Sequence, residues 1–412
     1  MINKKAFLFP GQGSQYIGMG KNLCEKYDVA KRTFEEANEA LSFDLSGLCF
    51  KGDLAELTLT KNAQPAILTT SVAMFRVLQE KKVEPQFLAG HSLGEISALT
   101  CAGVFDFADA VRLANKRGEL MQEAVPTGKG AMAAVMTRDI KMLAELCKEI
   151  SGDEVVVISN YNTKKQQVIS GDVNAVNRAL ERLAQMEIKT KLLNVSAPFH
   201  CPLMQPAADK FREELAKYQI NDPKYPVIAN IDAKLYPGKE AVIDHLVQQI
   251  VSPVQWTQSM TFLKKSMVKF CVEVGSGHVL KNMMKSNISD IPVYSFESDE
   301  NAIYEHMENA IFPFASRAMG IAVATRNQNW DDNEYKSGVV APYNELAKIQ
   351  ALVEQENRKE TDEEVNRALE LLLTILKTKK APAQEQISRL KELFDDTGKT
   401  EYFQAFDYSA IG

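Results

Sequence analysis

The stretch Phe87 to Gly103, FLAGHSLGEISALTCAG, decides how the rest of the chain is read. A short apolar run ends at Gly90, a serine sits two residues later, Gly94 follows, and a helical pattern begins. Gly90-His91-Ser92-Leu93-Gly94 is a G-x-S-x-G. Glycine on both flanks permits a sharp strand-to-helix turn, because a Cβ there would collide with the neighbouring strand or helix. Such a turn exposes Ser92 Oγ and points the next backbone N–H groups, at a helix start, toward developing negative charge. The bland alternative is a tight turn with an incidental serine.

Outward from this turn, strand, turn and helix alternate. KKAFLFPGQG reads as a buried strand ending in a glycine-rich turn, and PQFLAG as a second strand. QPAILTTSVAMFRVLQEKK and FADAVRLANKRGELMQEAV carry helical spacing. This predicts an α/β, hydrolase-like core with a mainly parallel sheet. The segment after it changes style. GAMAAVM, RDIKMLAELCKEI, EVVVISNYN, QQVISG, DVNAVNRALERLAQM and IKTKLLNVS follow the order β-α-β-β-α-β, a ferredoxin-like plan. The expected division is therefore a core over 1–126 and 196–302, an inserted ferredoxin-like subdomain over 127–195, and a helical C-terminal extension over 303–412. In the extension, Thr361 and Glu364 form a capping-box signature before an apolar stripe through Val365, Leu369, Leu372 and Leu376.

Bulk properties narrow the function classes. The 412 residues carry a net charge of −6, which gives no reason to expect nucleic acid or an anionic membrane as partner. No apolar run reaches membrane-spanning length. Six scattered cysteines without a C-x-x-C pair read as reduced thiols in a cytoplasmic protein. The five histidines are far apart and there is no H-E-x-x-H, so neither a metal nor another cofactor is expected.

A serine hydroxyl needs a base to take its proton. His91 is adjacent in sequence, but its side chain should diverge on a sharp turn. His200, in the loop VSAPFHCPLM re-entering the core, and His278, after Gly275-Ser276-Gly277, both remain candidates, with His200 the better placed. FPGQGSQ supplies a second glycine-rich turn at a strand end. It lacks the P-loop lysine, so the better reading is an oxyanion donor: Gln12 N–H paired with Leu93 N–H. Arg117 shares an apolar helix face with Leu113 and Met121. It is either a surface arginine snorkelling to water, the reading position alone favours, or a fixed fork for a carboxylate.

Taken together and in order, FPGQGSQ, AGHSLGEISAL, RGELMQEAV, GAMAAV, QVISG, VSAPFHCPLM, SPVQW and VEVGSGHVL resemble the malonyl-CoA:acyl-carrier-protein transacylases and the acyltransferase domains of polyketide synthases. The likeness spans roughly residues 4 to 300. NWDDNEYKSGVVAPY and RLKELFDDTGKTEYF resemble the extension of free-standing acyltransferases that serve polyketide synthases lacking such a domain. The resemblance implies Ser92 as the acyl-accepting nucleophile, His200 as base, Gln12 and Leu93 as oxyanion hole, and Arg117 as the grip on the malonyl carboxylate. It implies that Gln255 orients the histidine through its carbonyl, and that Asn160 and Asn162 lie near the pantetheine arm. Met121 and Phe199 fall to the acyl pocket, Phe199 in the pattern of malonyl-preferring enzymes. Gly-Ser-Gly at Gly275 to Gly277 departs from the family's usual Gly-Pro-Gly. The implied partners are malonyl-CoA and a phosphopantetheinylated carrier protein of polyketide or fatty acid synthesis. A carrier-clearing hydrolase and a non-catalytic docking protein are the alternatives.

Overall fold

The computed structural model describes residues 4–411 apart from 127, 196 and 310. Among the described residues, nine strands form two sheets. β1 (Lys5–Phe9), β2 (Phe87–Gly90), β7 (Val227–Ile228), β8 (Phe270–Glu273) and β9 (Val293–Ser295) make a five-stranded sheet in the order β7-β2-β1-β8-β9. Every pair in it is parallel. β3 (Gly130–Val135), β4 (Val156–Thr163), β5 (Gln166–Asp172) and β6 (Thr190–Leu192) make an antiparallel sheet in the order β4-β5-β3-β6. With the helices Ile140–Ile150 and Val173–Gln185 between its strands, the second sheet has the β-α-β-β-α-β order. The sequence places the start of this subdomain at Thr127 and the return of the core at Ser196; both lie outside the described residues.

The register of the parallel sheet sets up the site. Phe9 pairs with Gly90 and Leu8 with Ala89, so β1 and β2 end side by side. The turns that follow them, Pro10-Gly11-Gln12 and His91-Ser92-Leu93, are therefore neighbours at the carboxyl edge. Ligands of open α/β sheets bind at that edge. A Cβ on Gly11 would lie 2.4 Å from the His91 carbonyl oxygen, so only glycine lets the two turns touch.

Two long helices bring further side chains to this edge. Thr60–Glu80 holds Pro65 in its interior. Proline cannot donate to the carbonyl four residues back, and here the Asn115 side-chain amide donates to that carbonyl, Lys61 O, at 2.8 Å. Asn115 belongs to the helix Phe107–Glu123. Gly118 of the same helix has no room for a side chain, since a Cβ would sit 2.5 Å from Thr60 O. The close approach places Arg117 against Gln64.

The chain divides into two compact units, one over Lys4–Ile303 and one from Tyr304 onward. The second is helical. Phe314–Ala324, Ala341–Glu356, Asp362–Thr378 and Ala383–Asp396 close around a core that includes Phe314, Leu346, Leu372, Leu390 and Phe394. The capping box of Thr361 and Glu364 is formed, and Val365, Leu369, Leu372 and Leu376 are all buried.

Candidate active site

Ser92 stands between β2 and the helix Leu93–Cys101 with φ 53° and ψ −108°, a backbone that L side chains rarely adopt. Both flanking glycines are required by space. A Cβ on Gly90 would meet Gly94 O at 1.8 Å, and one on Gly94 would meet Phe9 O at 2.0 Å. The strained peptide is held at both ends. Ser92 N–H donates to Asn230 Oδ1 at 2.8 Å, and Ser92 O accepts from Gln249 Nε2 at 2.9 Å.

Of the candidate bases, the fold brings His200 to the serine. Ser92 Oγ and His200 Nε2 lie 2.7 Å apart, close enough for direct proton transfer. His278 is exposed at the start of the helix Val279–Asn287, and His91 turns away to donate to Asn162 Oδ1 at 2.8 Å. His200 Nδ1–H donates to a backbone carbonyl at 2.8 Å, which fixes the tautomer with Nε2 as acceptor. That carbonyl belongs to Gln249, not to Gln255 as the sequence motif suggests. Gln255 N–H donates instead to Asn230 O, and its carbonyl accepts from Ser259. Gln249 lies in the helix Val242–Val251, next to its C-terminal end, where carbonyls lack intrahelical partners. Burial and the positive charge of Arg117 hold the His200 imidazole far below its ordinary value, to about 3, so it is neutral at pH 7.

Arg117 is no surface residue. It is 1% exposed, in the apolar setting of Leu113, Leu120 and Met121. Nη1 donates to Gln64 Oε1 and Nη2 to Gln249 Oε1, each at 2.8 Å, and Nη2 reaches Ser92 Oγ at 3.4 Å. Nε has no partner among the described residues. Burial lowers its pKa to about 10, which still leaves it charged at neutral pH.

A cavity of about 620 Å³ connects these groups. Gln12, Leu93, Met121, Asn160, Asn162 and Phe199 all line it beside Ser92, Arg117 and His200. Among the described residues, neither Gln12 N–H nor Leu93 N–H meets an acceptor. Met121 also receives the Gln64 amide at its sulfur, 3.7 Å away. Asn160 accepts from Ser159 Oγ, and Asn162 holds His91. Sequence reasoning missed Gln64, Asn230, Gln249 and Glu95. The one available signal was Glu95, a carboxylate in the otherwise apolar helix start LGEISALTC. Among the described residues, no cluster of three or more His, Cys, Asp or Glu could hold a metal ion, and no helix is long and apolar enough to cross a membrane.

A model of the acyl transferase domain matches residues 6–298. The chain belongs to the acyl transferase family. A family relative from Bacillus subtilis, named malonyl CoA-acyl carrier protein transacylase, is 40% identical over 403 residues, covering 95% of this chain and 100% of the relative. Its likeness therefore runs into the C-terminal unit. The Escherichia coli K12 family member of the same name is 48% identical over 282 residues, 68% of this chain and 91% of its own. Among solved structures, FabD from Acinetobacter baumannii matches with TM-score 0.72 and 40% identity, covering 75% of this chain and 100% of that one. A malonyl-transacylase in complex with a type II polyketide synthase acyl-carrier protein matches with TM-score 0.69 and 41% identity, covering 71% and 95%.

Proposed function

We propose that this site moves a malonyl group from malonyl-CoA to the phosphopantetheine thiol of an acyl carrier protein, by way of an ester on Ser92. The observation that carries the reading is Arg117. A buried guanidinium ordinarily sits on a carboxylate. Here its acceptors are neutral, two glutamine side-chain carbonyls and Ser92 Oγ, and Nε–H has no partner among the described residues. A substrate carboxylate beside the nucleophile supplies the directly bonded anion that the buried Glu95, linked to Arg117 only through Gln249, does not. The names of the family relatives agree with that acyl group and that carrier.

Ser92 Oγ attacks the thioester carbonyl while His200 Nε2 takes its proton. The tetrahedral oxyanion is met by the N–H groups of Gln12 and Leu93, each such donor contributing on the order of 3 kcal/mol. The C–S bond breaks, the proton passes from His200 to the leaving sulfur, and CoA departs with the malonyl-serine ester left behind. The carrier's thiol then gives its proton to His200, attacks the ester and releases Ser92 by the same steps in reverse. No electrons are exchanged and the reaction as written needs no cofactor. Asn160 and Asn162 line the approach for the pantetheine arm, and Met121 and Phe199 flank the acyl group. In this reading 1–126 and 196–302 form the catalytic core, 127–195 the subdomain over its mouth, and 303–412 an extension outside the chemistry. Clearing neutral acyl chains by hydrolysis would leave the Arg117 fork without a purpose.

Intact-protein mass after mixing with malonyl-CoA or acetyl-CoA tests the proposal. The wild type gains a malonyl group, and Ser92→Ala gains none. Arg117→Ala loses malonyl transfer by about 30-fold or more, since a desolvated carboxylate without its partner costs ~2–5 kcal/mol, while acetyl transfer falls far less. A malonyl adduct on Ser92→Ala, or equal losses for both acyl groups, would refute the assignment.

A further inference from the structure

Glu95 is fully buried, one turn into the helix that Ser92 begins, and no step above uses it. Its carboxylate accepts three hydrogen bonds. Tyr236 Oη donates to Oε1 at 2.5 Å, Gln249 Nε2 donates to Oε2 at 2.6 Å, and Asn230 N–H donates to Oε2 at 3.2 Å. Two of these partners are the residues that hold the Ser92 peptide. Asn230 accepts Ser92 N–H through Oδ1 and donates through Nδ2 to Gly90 O at 2.6 Å. Gln249 donates to Ser92 O, presents Oε1 to Arg117, and offers its backbone carbonyl to His200.

We infer that Glu95 is a positioning residue for acyl transfer: by anchoring the Gln249 side-chain amide beside the Asn230 backbone, it holds Gln249 Oε1 on Arg117 and so sets the fork that meets the acyl carboxylate. The inference deepens the transfer reading and rests on it. An ionised carboxylate can only accept, so it holds Gln249 with the NH₂ toward Glu95 and Ser92 O and the oxygen toward Arg117. Charge-assisted bonds of this length are about twice as strong as neutral ones. Without Glu95, the Gln249 NH₂ keeps Ser92 O as its main acceptor and the Asn230 N–H loses its partner. The side chain between Arg117 and the serine is then free to shift.

The arrangement tolerates a neutral acid. Burial raises the Glu95 carboxyl to about 7, against the hydrogen bonds from Tyr236, Gln249 and Asn230 and the charge of Arg117. The titratable groups facing it are Tyr236, whose ring packs at a tilt against His245, and Arg117. The Tyr236 hydroxyl can donate to a carboxylate or accept from a carboxylic acid. In either state Oε2 remains an acceptor for Gln249 and Asn230. A glutamine at 95 reproduces the neutral state, with its NH₂ toward Tyr236. A methionine there keeps the volume and removes both oxygen acceptors, leaving only a weak sulfur one.

The test measures self-acylation of the full chain by malonyl-CoA and by acetyl-CoA, with circular dichroism and melting for each variant. The wild type must first form the malonyl-serine ester; if it does not, the transfer reading fails, before any variant is compared. Glu95→Gln is expected to stay within about threefold of wild type for both donors, and Glu95→Met to slow malonyl transfer by about tenfold more than acetyl transfer. Equal losses for both donors, or no loss, would overturn the inference, as would a glutamine variant as impaired as the methionine one. Should Glu95→Met not fold, Gln249→Met decides. It keeps the carbonyl under His200 and removes only the amide, and it must show the same malonyl-specific loss. An unchanged malonyl-to-acetyl ratio in that variant overturns the inference as well.

Discussion

At the scale of single residues the site is a set of buried polar groups whose protonation is set by their neighbours. His200 is held neutral first by burial and then by Arg117. The depressed value means the imidazole keeps its acceptor nitrogen as pH falls below the ordinary histidine range, and is lost as base only near its own low pKa. The acid limb of kcat/KM with acetyl-CoA, a donor with no carboxylate of its own, should therefore lie well below pH 6.5. Arg117→Met removes the repelling charge and should move that limb upward. A wild-type limb at the ordinary value, or one indifferent to Arg117→Met, would contradict the account. Ser92 was legible in sequence because its glycine flanks are a local steric demand, and His200 was the better placed of two bases; Arg117, which position alone leaves at the surface, was reached only through the family resemblance. The carbonyl under His200 was not legible. Any residue can offer a backbone C=O, so nothing distinguishes Gln249 from Gln255 until the helix end is placed in space. Gln64, Asn230 and Glu95 escaped for the related reason that their partners are far away in sequence, 53 residues for Gln64 to Arg117 and 135 for Asn230 to Glu95.

At the scale of elements, the strand-turn-helix unit at Ser92 was readable because glycine spacing is a steric requirement and survives any context. The edge strands were less so. IKTKLLNVS reads as a full strand, yet only Thr190–Leu192 pairs, and in the parallel sheet β7 is just Val227–Ile228. Each is an edge strand with a single neighbour, so the ladder stops where that neighbour turns away. Periodicity reads the helix from Gln64 onward but not its first turn before Pro65, where Asn115 of another helix meets the Lys61 carbonyl that the proline leaves without a donor. The steric reading of the elbow gives a sharp prediction. Gly94→Ala forces a Cβ to within 2.0 Å of Phe9 O, which must push the helix Leu93–Cys101 off β1. Overpacking of this kind costs roughly 1–3 kcal/mol, so the variant should melt lower and acylate Ser92 more slowly. Gly152→Ala, where nothing lies within 4 Å, is the matched control and should do neither. An unaffected Gly94→Ala would mean the turn relaxes without moving the nucleophile.

At the scale of the whole molecule, the chemistry and the extension separate. Ser92, His200, Arg117, Gln12 and Gln249 all belong to the unit Lys4–Ile303, and the helices after it close a core of their own. A chain ending at residue 309 should therefore still form the malonyl-serine ester. A folded truncated chain unable to do so would show that the extension contributes to the site.

The buried guanidinium of Arg117 also ties catalysis to the integrity of the molecule. With only neutral acceptors in contact and Nε–H without a partner among the described residues, Arg117 leaves the first unit a hole in its electrostatics rather than in its packing. In the proposed reading the malonyl carboxylate plugs it, which makes the acyl-enzyme the more complete folded state. Anything that binds the native chain and not the unfolded one raises its apparent stability, by about 2.7 kcal/mol at a hundredfold excess over Kd. Ser92→Ala mixed with malonyl-CoA should accordingly melt at a higher temperature, acetyl-CoA should give a smaller rise, and Arg117→Ala in the same background should erase the difference. A substrate so placed acts as a removable piece of the protein interior, and each turnover takes the fold from incomplete to complete and back.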